Sequence, residues 1–335
     1  MLGLALLVAC TGQASPPAPT TPEPGPVVSP DRGGWTELAD APTARQEVAA
    51  AVLDGLIYVA GGLLADGTAT DVVEYYDPGV NVWRPAAALP LALHHAMGAA
   101  FGDAFVVAGG FTADGTASDR VFGLRDGVWE ELPAMPVARG AGGAAVARGM
   151  LVVTGGQTGD ALVEPTAVFD GEEWSTAAAI PTPRDHLVVA TDGRFVYAAG
   201  GRRRAIDATL DAFERFDPRS GTWSALDSLP VPRGGAGGAF LDGRLALVGG
   251  EGGPAANAGG VVARVDLYVS RSGEWERATG LDMTEPRHGV GAVAIGPTLY
   301  VAAGGTVRGL GPSASFEAFR PAGEALLKLS RAFFG

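Results

Sequence analysis

Six glycine pairs fall at nearly even intervals along the chain: Gly61-Gly62, Gly109-Gly110, Gly155-Gly156, Gly200-Gly201, Gly249-Gly250 and Gly304-Gly305. Each closes an apolar stretch such as Leu56-Ile57-Tyr58-Val59-Ala60 or Leu245-Ala246-Leu247-Val248. Six tryptophans keep step with them (Trp35, Trp83, Trp129, Trp174, Trp223, Trp275), and from Trp to the next pair is 26 residues in five cases and 29 in the last. Pro42, Pro90, Pro136, Pro181 and Pro230 follow the first five Trp at a constant offset. An Arg then opens a run of small residues, at Arg45, Arg139, Arg184, Arg233 and Arg287, with Leu93 in the second copy. A period of roughly 48 residues means one supersecondary unit copied side by side. Such a unit cannot bury its apolar face alone and must stack on its neighbours.

Each unit reads as four short strands. The first is small and apolar, like Val48 to Leu53, and a turn such as Asp54-Gly55 or Asp242-Gly243 leads to the second, which ends at the Gly pair. A longer loop precedes the third, which ends near Tyr76-Asp77-Pro78 or Phe216-Asp217-Pro218, and the fourth starts at the Trp. Glycine supplies the positive φ or close approach needed where the chain leaves the sheet. The Trp offers a wide apolar surface to the next sheet. Composition agrees: 51 Gly and 24 Pro in 335 residues suit many tight turns, and 47% apolar with 18% charged excludes a disordered chain.

The Arg, Gly-Gly, Tyr-Asp and Trp pattern resembles the kelch repeat, in six copies covering residues 35–321. The resemblance implies an all-β fold, a six-bladed β-propeller. Departures are local: Leu93 for Arg, and Gly123-Leu124 where an acidic turn residue is expected. Trp35 precedes the first Gly pair and no Trp follows the last, so the Trp35 region is expected to supply the missing fourth strand of the last blade. Closing the ring in that way hides the sheet edges.

The ends read differently. Leu2 to Ala9 is too short to cross a bilayer, which takes about 20 apolar residues, and fits the core of an export signal. Leu7-Val8-Ala9-Cys10 resembles the lipobox of bacterial lipoproteins, which implies acylation of Cys10, although no Lys or Arg precedes the apolar run. Residues 1–10 are thus read as a signal segment and 11–34, rich in Pro, Thr and Ser, as an extended spacer. The expected location is the cell envelope, with the membrane reached through the lipid anchor alone. Residues 322–335 form a short amphipathic tail, expected on the outer wall. Net charge of −13 disfavours nucleic acid and anionic lipid as partners. One cysteine excludes a disulfide scaffold and multi-Cys metal sites.

Function is sought where the fourth-to-first junctions and the loops after the Gly pairs would converge on the axis. All four histidines, His94, His95, His186 and His288, lie one or two positions after the Arg site. Their blades are the second, fourth and sixth, a spacing of 120°. Ligand-binding candidates at that level are Glu47, His94, His95, Arg139, Asp185, His186, Arg202, Arg233, Glu251, Arg287 and His288. Three readings stay open. His95, His186 and His288 coordinate a divalent metal such as zinc, with Glu47 or Asp185 in support. Alternatively the mouth is a polar cup in which arginine forks bind an anionic or sugar-like ligand. In the third, the histidines merely cap strand starts and the arginines brace blades. Alternation along a strand argues that His94 and His95 cannot both face inward.

The leading expectation is a binding module for a glycan, peptide or envelope protein. The alternative is a sugar-directed epimerase or mutarotase, or a metal-dependent enzyme, with Glu47, Asp185 and Glu251 as catalytic candidates. Architecture resembles the bacterial N-acetylneuraminate epimerases. Galactose-oxidase chemistry is excluded, because its Tyr–Cys crosslink needs a cysteine within the propeller.

Overall fold

The computed structural model describes residues 33–321. The readings at 1–10, Cys10, most of the 11–34 spacer and the 322–335 tail lie outside the described residues.

Six four-stranded antiparallel sheets surround one axis. Blades 1 to 5 each use four consecutive strands, beginning with Ala49–Leu53, Met97–Phe101, Gly140–Ala147, Val188–Thr191 and Gly237–Leu241. Blade 6 takes three strands from the end of the chain (Gly291–Ile295, Thr298–Ala302, Phe316–Arg320) and its outer strand, Gly34–Glu37, from the beginning. Trp35 pairs with Phe319, and Gly34 with Arg320. The expected ring closure is therefore present. Because second strands end at the mouth and third strands leave it, Gly34 and Arg320 meet on the opposite face.

Apolar clusters fill the spaces between neighbouring blades, as in the set joining Met97 and Val106 to Leu151 and Phe169. The first strands are nearly all Ala, Gly and Val because they crowd the axis; a Cβ on Gly98 would sit 2.7 Å from the Ala50 nitrogen of the preceding blade. Every Trp Nε1 donates to a carbonyl of the preceding blade, from Trp83 to Ala39 (2.7 Å) round to Trp35 and Leu281 (2.9 Å). The repeat's Trp is thus a staple as well as a packing surface.

The repeated arginines lie inside the blades. Arg45, Arg139, Arg184, Arg233 and Arg287 are fully buried. Arg45 donates to the Val59 and Val72 carbonyls and to Glu74, 2.8 Å away. Arg184 pairs with Glu214, Arg233 with Asp266 and Arg287 with Glu317. In blade 3, Arg139 reaches only the carbonyls of Val137, Gly155 and Pro165. Burial lowers Arg139 to about 10; it lowers Arg45 to the same value although Glu74 opposes it. Arg139, Arg233 and Arg287 therefore do not line the mouth as the sequence reading had them. Their guanidiniums satisfy carbonyls where the second and third strands part, which water cannot reach. Blade 2 explains the Leu93 exception: the site opposite Val107, held by Glu74 in blade 1, is Phe122. In blade 2 an apolar pair thus stands in for the ion pair, whereas blade 3 keeps its Arg139 with Ala167 at the place of the acid.

Candidate functional site

Two residues after each repeated Arg, or Leu93, the chain turns sharply. Glu47, His95, Ala141, His186, Gly235 and Gly289 all have φ between +52° and +61°. Four of these six are not glycine, and each such residue costs on the order of 1 kcal/mol. The compensation is a closed belt. Glu47 N donates to Gly289 O, Gly289 to Gly235, Gly235 to His186, His186 to Ala141, Ala141 to His95 and His95 to Glu47, at 2.7–2.9 Å. This hoop of backbone hydrogen bonds encircles the axis and fixes the height of the side chains it carries. Glu47, His95 and His186 line a chamber of about 100 Å³ at the top of the shaft, and a space of about 130 Å³ between the Ala-, Gly- and Val-rich first strands follows below.

The preceding positions pair with the loops after the Gly pairs: Gln46 with Leu63, His94 with Phe111, Asp185 with Arg202, Gly234 with Glu251 and His288 with Gly305. These bridges bring eight predicted residues into one polar chain. Asp185 Oδ1 lies 2.5 Å from His186 Nδ1, and His186 Nε2 lies 2.8 Å from an Arg202 nitrogen. Arg202 also pairs with Glu251. His288 Nδ1 lies 3.8 Å from Glu251 and 3.4 Å from Glu47, an ion-pair contact too bent for a hydrogen bond. Glu47 Oε2 is 3.4 Å from His95 Nε2, and the Nδ1 atoms of His95 and His94 are 2.5 Å apart. Glycines leave room for this chain; a Cβ on Gly289 would sit 2.5 Å from the Glu47 carboxylate.

The partners set the proton positions. His186 faces a carboxylate through Nδ1 and a guanidinium, a donor only, through Nε2; its proton is therefore on Nδ1. His288 faces carboxylates through Nδ1 and the Val307 carbonyl through Nε2 (3.0 Å). Acceptors on both sides favour the protonated ring. Burial opposes that charge, but Glu47, Glu251 and Val307 outweigh it and raise the His288 pKa above 6.5. Burial dominates at His95, with help from His186 and His94, and lowers it to about 3 against the pull of Glu47. Burial alone would raise Glu47; His95 and the other imidazoles outweigh it and hold the carboxyl well below 4.5. Asp185 is likewise lowered, burial being overcome by His186 and Arg202.

The expected His95–His186–His288 metal triad does not form. The ligand atoms that approach one another, within 4.8 Å, belong to Glu47, His95 and His186. Asp185 and Arg202 hold both nitrogens of His186, and the guanidinium stands where a cation would bind Nε2. His288 Nε2 is taken up by the Val307 carbonyl, and its Nδ1 faces Glu47 and Glu251. A cation held by Glu47, His95 and His186 would have to displace the Arg202 guanidinium from His186 Nε2. Of the two adjacent histidines His95 lines the chamber and His94 does not, as expected, but their rings touch, with centroids 4.8 Å apart. Strict alternation assumes extended backbone, and His95 at φ +54° is not extended. Gln46, 2% exposed, is a member the sequence reading missed. It holds Gly309 O and Gly311 N through its amide. Only its place directly after Arg45 could have pointed to it.

The kelch motif model matches residues 44–90 and 183–230, the first and fourth units. The chain is a six-bladed kelch-repeat propeller. This propeller is 27% identical to Kelch-like protein terF of Aspergillus terreus over 313 residues, covering 86% of the chain and 56% of that protein. Kelch-like protein 36 of Bos taurus is 29% identical over 139 residues, and Kelch-like protein 33 of Homo sapiens is 34% identical over 134. Those matches cover 39% and 37% of the chain but only 22% and 24% of the relatives, which are much longer proteins. Among solved structures, that of YjhT superposes with a TM-score of 0.69 over 83% of this chain and 96% of its own, at 16% identity. At that identity the likeness extends to the fold alone.

Proposed function

We propose that this kelch propeller is an exported, lipid-anchored binding module that holds a partner across its mouth face. Kelch propellers typically serve as protein-binding modules, and the site has the character of a support. The observation that carries the reading is the commitment of the mouth groups: both nitrogens of His186 and Nε2 of His288 are hydrogen-bonded, and His288 Nδ1 lies buried 3.4 Å from Glu47. An acid/base catalyst needs a group free to meet its substrate. The chamber beneath, about 100 Å³, is also well short of the roughly 300 Å³ at which small-molecule pockets begin. A glycan or peptide would therefore lie over the rim rather than enter the shaft.

Anomer exchange of reducing sugars, sialic acid included, tests this against the epimerase alternative. Added protein is expected to leave the exchange rate unchanged; acceleration abolished by Glu251→Gln would overturn the non-catalytic reading. The anchor has its own test: Cys10→Ser is expected to move the protein from the membrane to the soluble fraction.

A further inference from the structure

We propose that the blade 6 loop, residues 305–312, is the partner-contacting element of the mouth, and that it engages a polypeptide through an apolar side chain flanked by carboxylate. This rests on the mouth-face reading above and names its contact point and partner class.

Among the described residues, the large hydrophobics left exposed are Val82, Val128, Val307 and Leu310. Two of these four share one loop, at 44% and 45% exposure, and that loop lies over the buried network. Isolated exposed apolar residues are ordinary; two on one rigid tip at a loop face are the anatomy of an interface anchor. The rigidity is visible in the bonds. His288 Nε2 donates to Val307 O, Gln46 donates to Gly309 O at 2.6 Å and accepts from Gly311 N at 2.8 Å, and Gly309 N approaches Glu251 at 3.3 Å. Arg308 N adds a bond to Gly259 O of the neighbouring blade. The polar network thus props this loop from beneath, and a partner need not bear the cost of ordering it.

Charge sets the partner's sign. Arg308 stands between the two apolar residues, paired at the surface with Asp207 of the blade 4 loop, and exposed Arg203 lies in that same loop. Arg204, beside it, donates to the Gly159 carbonyl, which leaves its charge uncancelled. An incoming carboxylate meets guanidiniums here in a chain that is otherwise strongly acidic.

The test is selection of peptides from a displayed random library on the intact full-length protein, with a glycan array in parallel. Selected peptides are expected to carry an apolar residue beside Asp or Glu. Their affinity should fall at least tenfold with Leu310→Glu or Val307→Glu and stay unchanged with Val128→Glu, a more exposed apolar control. Thermal unfolding of all three variants is expected to match the parent, which separates lost contact from lost fold. Peptides that ignore Val307 and Leu310 but are lost with Arg203→Glu would overturn the loop assignment and leave the mouth reading standing. Glycan binding at the mouth without peptide binding overturns the polypeptide class. Peptides confined to the opposite face, or no binding of either kind, overturn both.

Discussion

The arginine spokes inside the blades and the ionic chain at the mouth use the same residue types a few ångströms apart, yet they follow different rules. A spoke is a repeated device: Arg45, Arg184, Arg233 and Arg287 each meet one acid and two or more carbonyls in the same register. Blade 2 replaces both members with the apolar Leu93 and Phe122, and blade 3 keeps Arg139 on carbonyls alone. The mouth chain occurs once. Its members come from blades 1, 2, 4, 5 and 6, and no two make the same contacts. Repetition marks what the fold needs. Irregularity at equivalent positions marks what this particular propeller does.

The difference can be broken or sharpened experimentally. The largest effect is expected at a spoke: Glu317→Ala strands the Arg287 guanidinium without charge compensation and should cost about 3–5 kcal/mol in urea unfolding. Copying blade 2 with Arg287→Leu plus Glu317→Phe should recover most of that loss. If it does not, the idea that an apolar pair can stand in for the ion pair fails. At the mouth, Arg202→Ala leaves Asp185 and Glu251 without their shared donor and should cost less, about 2–3 kcal/mol, because Glu47 and His288 can still rearrange around the gap.

Third come opposite pH dependences within the mouth alone. His288, raised above 6.5 in the fold, adds stability that is complete below pH 6.5 and is lost as pH rises through its folded value. His95, lowered from 6.5 to about 3, adds stability that is present above pH 6.5 and is lost as pH falls toward 3. Urea midpoints from pH 5 to 9 should therefore show His288→Gln flattening the alkaline limb and His95→Gln the acid limb, while Glu317→Ala shifts the whole curve evenly. The smallest effect belongs to a staple: Trp129→Phe removes only the hydrogen bond to the Ala87 carbonyl and should cost about 1 kcal/mol. Elemental analysis of the purified protein, with and without His186→Ala, checks the metal reading of the mouth: no zinc is expected in either sample.

Much of this was legible in the sequence because the repeat supplies its own coordinates. Counting from each Trp placed the strands, and the unmatched Trp35 announced the closing strand. The same frame gathered Glu47, Asp185, His186, Arg202, Glu251 and His288 at one level. It also misled: Arg139, Arg233 and Arg287 share that level in sequence, but nothing in the spacing says that their side chains turn back into the blade. The left-handed turn at His95 was equally hidden, because Glu, His and Ala carry no mark of the positive φ that glycine would suggest. Gln46 escaped because an amide two residues into a repeat looks like any solvated side chain until the loop it pins is folded over it.

The pairing of Gly34 with Arg320 carries a consequence for manufacture as well as for placement. No ring exists until the last strand has been synthesised and found by the first, so the early blades must wait as an open arc with a bare edge. Once latched, the chain enters and leaves the ring on the face away from the upper rim.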